Sequence, residues 1–178
     1  MSLVNYLNLL NSTKKYLKID IHDNIYDEKI IQCLKELEDI NEFKFIYKEY
    51  DYLLDFLNHP SYLKYLNGST KYLLVASTLG LAVERRISYL SKTNNEKMVI
   101  MDAASSCYLE FLTDKEEEKL NKKLDYRFCP GYSKTDVNDN KIIYKILNAS
   151  KIGIEVLPSS MMVPQKSMIG VVRICEKD

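Results

Sequence analysis

The segment Arg127-Phe128-Cys129-Pro130-Gly131-Tyr132 holds the residue types best suited to grip a small polar ligand. Arg127 offers a planar fork that matches a carboxylate. Pro130 stiffens the chain, while Gly131 permits a positive φ and a close backbone approach. Tyr132 adds a ring face and a hydroxyl. A helix is expected to follow, and its N-terminal amides favour negative groups. The set suits a zwitterionic or nucleoside ligand, although a Pro-Gly turn between Arg and Tyr is also what an ordinary surface turn looks like.

Other chemistries find little to work with. Cys33, Cys107, Cys129 and Cys175 are far apart with no C-x-x-C spacing, and the only histidines are His22 and His59. Neither a zinc or iron–sulfur site nor a disulfide framework fits that pattern. There is no phosphate-cradling G-x-x-x-x-G-K-[ST], no G-x-G-x-x-G and no G-x-S-x-G. Cys107 or Cys129 could serve as a nucleophile, but neither has a histidine nearby in sequence, and an inert thiol is the simpler reading. No catalytic residue and no metal ligand is therefore assigned. The 25 basic and 25 acidic residues cancel, so nothing draws the chain over long range to nucleic acid or an anionic membrane. No stretch reaches the roughly 20 apolar residues of a membrane span. The N-terminus lacks the charged start and cleavage site of a signal peptide. Reduced thiols in the cytoplasm are the expectation.

The elements that would position the Arg127 segment can be read from periodicity. The 178 residues, 46% of them hydrophobic, suit one domain over 1–178. Residues 28–40 put Ile30, Leu34, Leu37 and either Ile31 or Ile40 on one helical face. Residues 43–50 half-alternate like a strand, and 51–66 read as a short amphipathic helix broken at Pro60, closed by an Asn67-Gly68 turn. The apolar run 71–78 is a buried strand, with Ser77 or Thr78 placed to cap a helix over 79–90. A second long helix runs from about Asn95 to Asp114, with Met98, Met101, Tyr108, Phe111 and Leu112 inward. The charged run 114–124 is a solvated helix or its end. Residues 127–133 are a loop. Asp136, Asn138 or Asp139 caps the next helix, whose stripe is Ile142, Ile143, Ile146 and Leu147, with Gly153 as its stop. Strands follow at 154–157 and 167–175. The irregular interleaving predicts an α+β fold, a mainly antiparallel twisted sheet with long helices, rather than a doubly wound α/β fold.

The R-x-x-P-G-Y pattern over 127–132 resembles the hallmark of the activation (reactivation) domain of cobalamin-dependent methionine synthase. The resemblance extends in order along roughly residues 60–175. VASTLGLAVERRISYL (75–90) is similar to the family's strand-to-helix segment, and MVIMDAASSCYLEFLTD (98–114) to the next helix, which carries a carboxylate near the ligand. KILNASKIGIEVLPSSMMVPQKSMIGVVRI places Met162, Pro164, Lys166 and Ser167 in step with the family's Met-x-Pro-x-x-Ser pattern before its last strand. Residues 1–55 match only loosely.

The resemblance implies a domain that holds S-adenosylmethionine with its methyl group toward the cobalt of a partner-bound cobalamin. One electron from a flavodoxin-type donor then allows methyl transfer to rescue cob(II)alamin. Positioning is the domain's whole contribution. By motif match, Arg127 pairs with the ligand's carboxylate, backbone groups of Cys129, Gly131 and Tyr132 line its methionine and adenosine parts, and Glu110 draws its ammonium or sulfonium. Asp20 and Asp23 are candidates for the family's N-terminal aspartate contact. Glu84, Arg85 and Arg86 read as an intrahelical charge cluster, Met161 and Met162 as core, and Lys166 and Ser167 as either near the site or flanking a strand. The chain carries no folate, homocysteine or cobalamin module and stops just after the last strand, where fused domains continue with aromatic residues. The expected partner is then a cobalamin-binding methionine synthase served in trans, or another corrinoid protein. The alternative is a docking module that does not use S-adenosylmethionine.

Overall fold

The computed structural model describes residues 1–175. Among the described residues, six α-helices accompany a four-stranded antiparallel sheet, an α+β fold as expected. In chain order they are α1 (Leu3–Tyr16), α2 (Asp27–Ile40), β1 (Lys44–Tyr50), α3 (Pro60–Leu66), β2 (Tyr72–Thr78), α4 (Leu81–Thr93), α5 (Asn95–Glu118), β3 (Leu124–Phe128), α6 (Asp139–Leu147) and β6 (Ser167–Ile174), with a two-stranded ribbon of β4 (Glu155–Val156) and β5 (Met162–Val163) before β6. The sheet order is β1-β2-β6-β3.

Every residue of β2 is buried, as a central strand covered on both faces must be. Tyr72, Leu74 and Ala76 face a core built with α3, α6, Ile169 and Val171. Leu73, Val75 and Val172 face the other way, toward Phe45 and Leu120. The N-terminal helices, α4 and α5 pack into a second large core containing Leu10, Ile30, Leu34, Leu37, Val83, Met101 and Tyr108. Helix α1 was not anticipated. It is anchored by Lys14, whose ammonium is buried, pairs with Asp27 of α2 and donates to the Ile21 carbonyl at 3.1 Å.

Several boundaries differ from expectation. Pro60 starts α3 at its first turn, where its missing N–H costs nothing, and His59 Nδ1 accepts from Ser61 N at 3.2 Å. Neither Ser77 nor Thr78 caps α4. Its N-cap is Gly80 at φ +83°, while Ser77 Oγ lies 2.8 Å from Thr113 Oγ1 and ties β2 to α5. Helix α5 is capped by Asn94, accepting from Lys97 N at 2.9 Å, and continues through the first half of the charged run to Glu118. Met101 and Tyr108 are fully buried in it, while Met98, Phe111 and Leu112 are partly so. Asn138 holds the N-cap position of α6 without a side-chain cap bond, and Ile142 is exposed rather than inward. Asn148, at φ +52°, ends that helix, and Gly153 closes a short 3-10 turn beyond it.

Candidate functional site

Arg127 and Phe128 are not in a loop. They end edge strand β3, and the turn begins at Cys129. Between Leu124 and Arg127 the register with β6 slips by one residue, a bulge that re-aims the following side chains. Tyr65 of α3 holds it: its hydroxyl donates to the Tyr126 carbonyl and accepts from Arg173 N at 2.9 Å. An Arg173–Asp125 ion pair spans the same two strands.

From β3, the Arg127 side chain reaches α5. There Glu110, Asp114 and Glu117, spaced four and then three residues apart, present carboxylates on one helical face. One terminal nitrogen bonds Asp114 Oδ1 and Glu117 Oε2, both at 2.8 Å, and the other pairs with Glu110. The Arg127 side chain is 8% exposed, whereas Glu110 and Asp114 are 58% and 57% exposed. Burial opposes the guanidinium's charge, but attraction from Glu110, Glu117 and Asp114 outweighs it and lifts its pKa above the usual value. Glu117 behaves oppositely. Burial raises its pKa, and its share of one guanidinium beside two other carboxylates does not compensate.

The turn after β3 is organised by Thr135, a buried residue that the sequence did not single out. Its hydroxyl accepts from Gly131 N at 3.0 Å and donates to the Tyr132 carbonyl at 2.7 Å. Gly131 adopts φ +91°, as its place in the turn suggested. The Tyr132 ring is 68% exposed. Burial lifts the Cys129 thiol to about 11 and also raises Cys107, so neither is a ready thiolate.

Two cavities adjoin at this turn. One, of about 490 Å³, is walled by the α5 carboxylates, Tyr126, Arg127, Phe128 and Ser133. The other, of about 520 Å³, is walled by Tyr16, Ser106, Cys107, Pro130, Met162, Lys166 and Ser167. Glu110, Cys129 and Tyr132 line both, so the pair forms two lobes of one groove. Each lobe lies in the volume range of small-molecule sites.

Four of the five residues singled out from sequence thus meet at the groove; Gly131 shapes the turn without lining it. Lys166 joins them, its ammonium 2.8 Å from Asp102 Oδ1 and 2.9 Å from Ser106 Oγ. Met162 packs against the core as expected and also lines the groove, whereas Met161 is exposed. The cluster on α4 is not intrahelical: Arg86 pairs with Glu36 of α2, and Glu84 accepts from Gln165 N at 3.1 Å. Asp20 and Asp23 line neither lobe; each accepts a backbone N–H two residues on, from His22 and Ile25. Tyr16, at the end of α1, lines the groove, and among fourteen tyrosines nothing in sequence marked it.

No family model matches the sequence, and no curated protein matches it. Among solved structures, a MetH reactivation domain bound to AdoHcy superposes with a TM-score of 0.59 over 97% of this chain and 76% of that one, at 12% identity. The chain shares its fold with that MetH reactivation domain. At so low an identity the likeness concerns architecture: the antiparallel sheet flanked by long helices. No helix among the described residues is long and apolar enough to cross a membrane.

Proposed function

We propose that this chain is an S-adenosylmethionine-binding accessory domain that supports reductive methylation of cob(II)alamin in a cobalamin-dependent methionine synthase acting in trans. The observation that carries this reading is the two-lobed groove at Cys129-Pro130-Gly131-Tyr132, within a fold shared with a MetH reactivation domain solved with AdoHcy. The groove has room for an adenosyl ligand. Its walls offer an exposed Tyr132 ring for stacking and the open carboxylates of Glu110 and Asp114 for an ammonium or sulfonium. No acid–base pair or nucleophile is required of a domain whose role is orientation, and cobalamin would come from the partner.

Isothermal titration with S-adenosylmethionine tests this directly. Saturable binding at one site is expected, with or without a corrinoid protein present. No binding under either condition overturns the proposal.

A second reading draws on the Arg127 ion pairs. A guanidinium already committed to three carboxylates suits a module that docks on a corrinoid protein without using S-adenosylmethionine. Tyr132→Ala, at an exposed position outside the ion pairs, separates the two. Under the first reading the variant loses ligand binding and rescue of cob(II)alamin; under the second, docking persists and no ligand binding exists to lose.

A further inference from the structure

We propose that the outer edge of β1 pairs with the same edge of a second copy of this chain, joining the two sheets across a two-fold axis at Tyr47. Strand β1 stands at one end of the order β1-β2-β6-β3 and is bound to β2 through an unbroken register, from Lys44 opposite Thr78 to Tyr50 opposite Tyr72. An antiparallel strand spends the N–H and C=O of alternate residues on one neighbour and turns those of the others away. Among the described residues, no other strand pairs with β1 and no loop backbone bonds to it, so the second set faces outward unused. Proteins ordinarily guard such an edge with a proline, a bulge or charge. The sequence KFIYKEY has no proline and no bulge. It does have two lysines, so the pairing depends on where they fall.

One two-fold register suits these side chains. Centred on Tyr47, it sets Tyr47 against its own copy, Phe45 against Glu49, Ile46 against Lys48 and Lys44 against Tyr50. No like charges stand directly opposite. The neighbouring two-fold registers fail: a centre at Ile46 sets Lys44 against Lys48, and a centre at Lys48 sets that lysine against itself. The charges of β1 are also occupied within their own copy. Lys48 lies 5.1 Å above the Tyr50 ring, and Glu49 pairs with Lys122 at 2.9 Å. Phe45 and Tyr47 stack at 6.0 Å on one face of the strand; Phe45 packs on the small core of Leu73, Val75 and Val172, while Tyr47 remains 44% exposed. The axis at Tyr47 extends that stack into a row of four rings crossing the junction, which is how this aromatic surface leaves water. Such a contact is isologous and closed, so it stops at two copies. Because the groove lies beside β3, at the opposite edge of the sheet, both copies keep it open.

Sedimentation velocity of the full chain, from roughly 10 to 500 µM, should show a reversible monomer–dimer equilibrium, as befits a contact smaller than a standard interface. Tyr47→Lys places two charges face to face at the axis and should weaken association about tenfold, with an unchanged circular dichroism spectrum. Tyr47→Cys tests the register. Opposed residues of antiparallel strands have Cα atoms about 4.5–5.5 Å apart, within the span of a disulfide. Mild oxidation should therefore give a dimer linked through position 47 of both copies, which peptide mapping separates from any link through the native cysteines. Lys48→Cys, on the other face and off the axis, should not crosslink. A chain that stays monomeric throughout, a dimer insensitive to Tyr47→Lys, or a Lys48→Cys crosslink as efficient as that of Tyr47→Cys overturns the proposal; should Tyr47→Lys fail to fold, the two cysteine variants decide it.

Discussion

At Arg127 one cation serves three anions, and the residues involved do not gain equally. Glu117 is the buried member, and burial holds its pKa above the ordinary 4.5. The folded protein therefore binds a proton more readily there than the unfolded chain does, and this contribution to stability declines as pH rises through the raised value. Glu117→Gln should accordingly be more stable than the parent at neutral pH, with the advantage shrinking as pH falls toward 4.5; urea denaturation across that range measures it. Removing the cation has the opposite result. Arg127→Met strands a buried carboxylate beside two others and should cost about 3 kcal/mol, read from the same transitions. The arginine and Glu110 were visible in the sequence as candidate chemistry. Asp114 and Glu117 were not, because a charged run on a helix is ordinarily solvated. Only the sheet edge that delivers Arg127 to that helical face gives these two a partner.

Elements in this fold are legible where they bury a regular stripe and obscure where they are held by polar contacts. Strand β2, strand β6 and helix α2 follow from their apolar patterns. Strand β3 does not: LDYRF has no clean alternation, and what holds it is a tyrosine from a different helix. Tyr65→Phe would leave the Tyr126 carbonyl and the Arg173 N–H without their partner. It should destabilise the protein by about 1–3 kcal/mol and loosen the groove wall, with faster amide exchange at Arg173 as the local readout. The entry to α4 is equally specific. Gly80 sits at φ +83°, and an added Cβ would lie 2.7 Å from that of Glu42. Gly80→Ala therefore combines backbone strain with a clash and should cost about 1–3 kcal/mol in thermal unfolding.

At the scale of the molecule, composition and rhythm were enough to indicate an α+β fold with an antiparallel sheet. The first 26 residues were the weakest part of the reading, since α1 carries exposed Leu3, Val4 and Leu7 beside its buried Leu9 and Leu10 and so shows little amphipathic contrast. Its attachment depends on a buried charge that no pattern of residues marks in advance. Asp27→Ala should leave the Lys14 ammonium uncompensated and cost about 3–5 kcal/mol, whereas Lys14→Met, which removes the charge as well, should be close to neutral; comparing the two melting curves isolates the pair.

The pairing of β2 with β6 brings Thr78 beside Ser167 across almost ninety residues of intervening chain. A nascent polypeptide leaving the ribosome would thus carry a largely apolar β2, with one long edge bare, through the synthesis of three helices, another strand and a ribbon. Closing so large a loop is slow compared with forming local helices. For all of that interval the future middle of the sheet is where chaperones would hold the chain, and where neighbouring copies would stick to it.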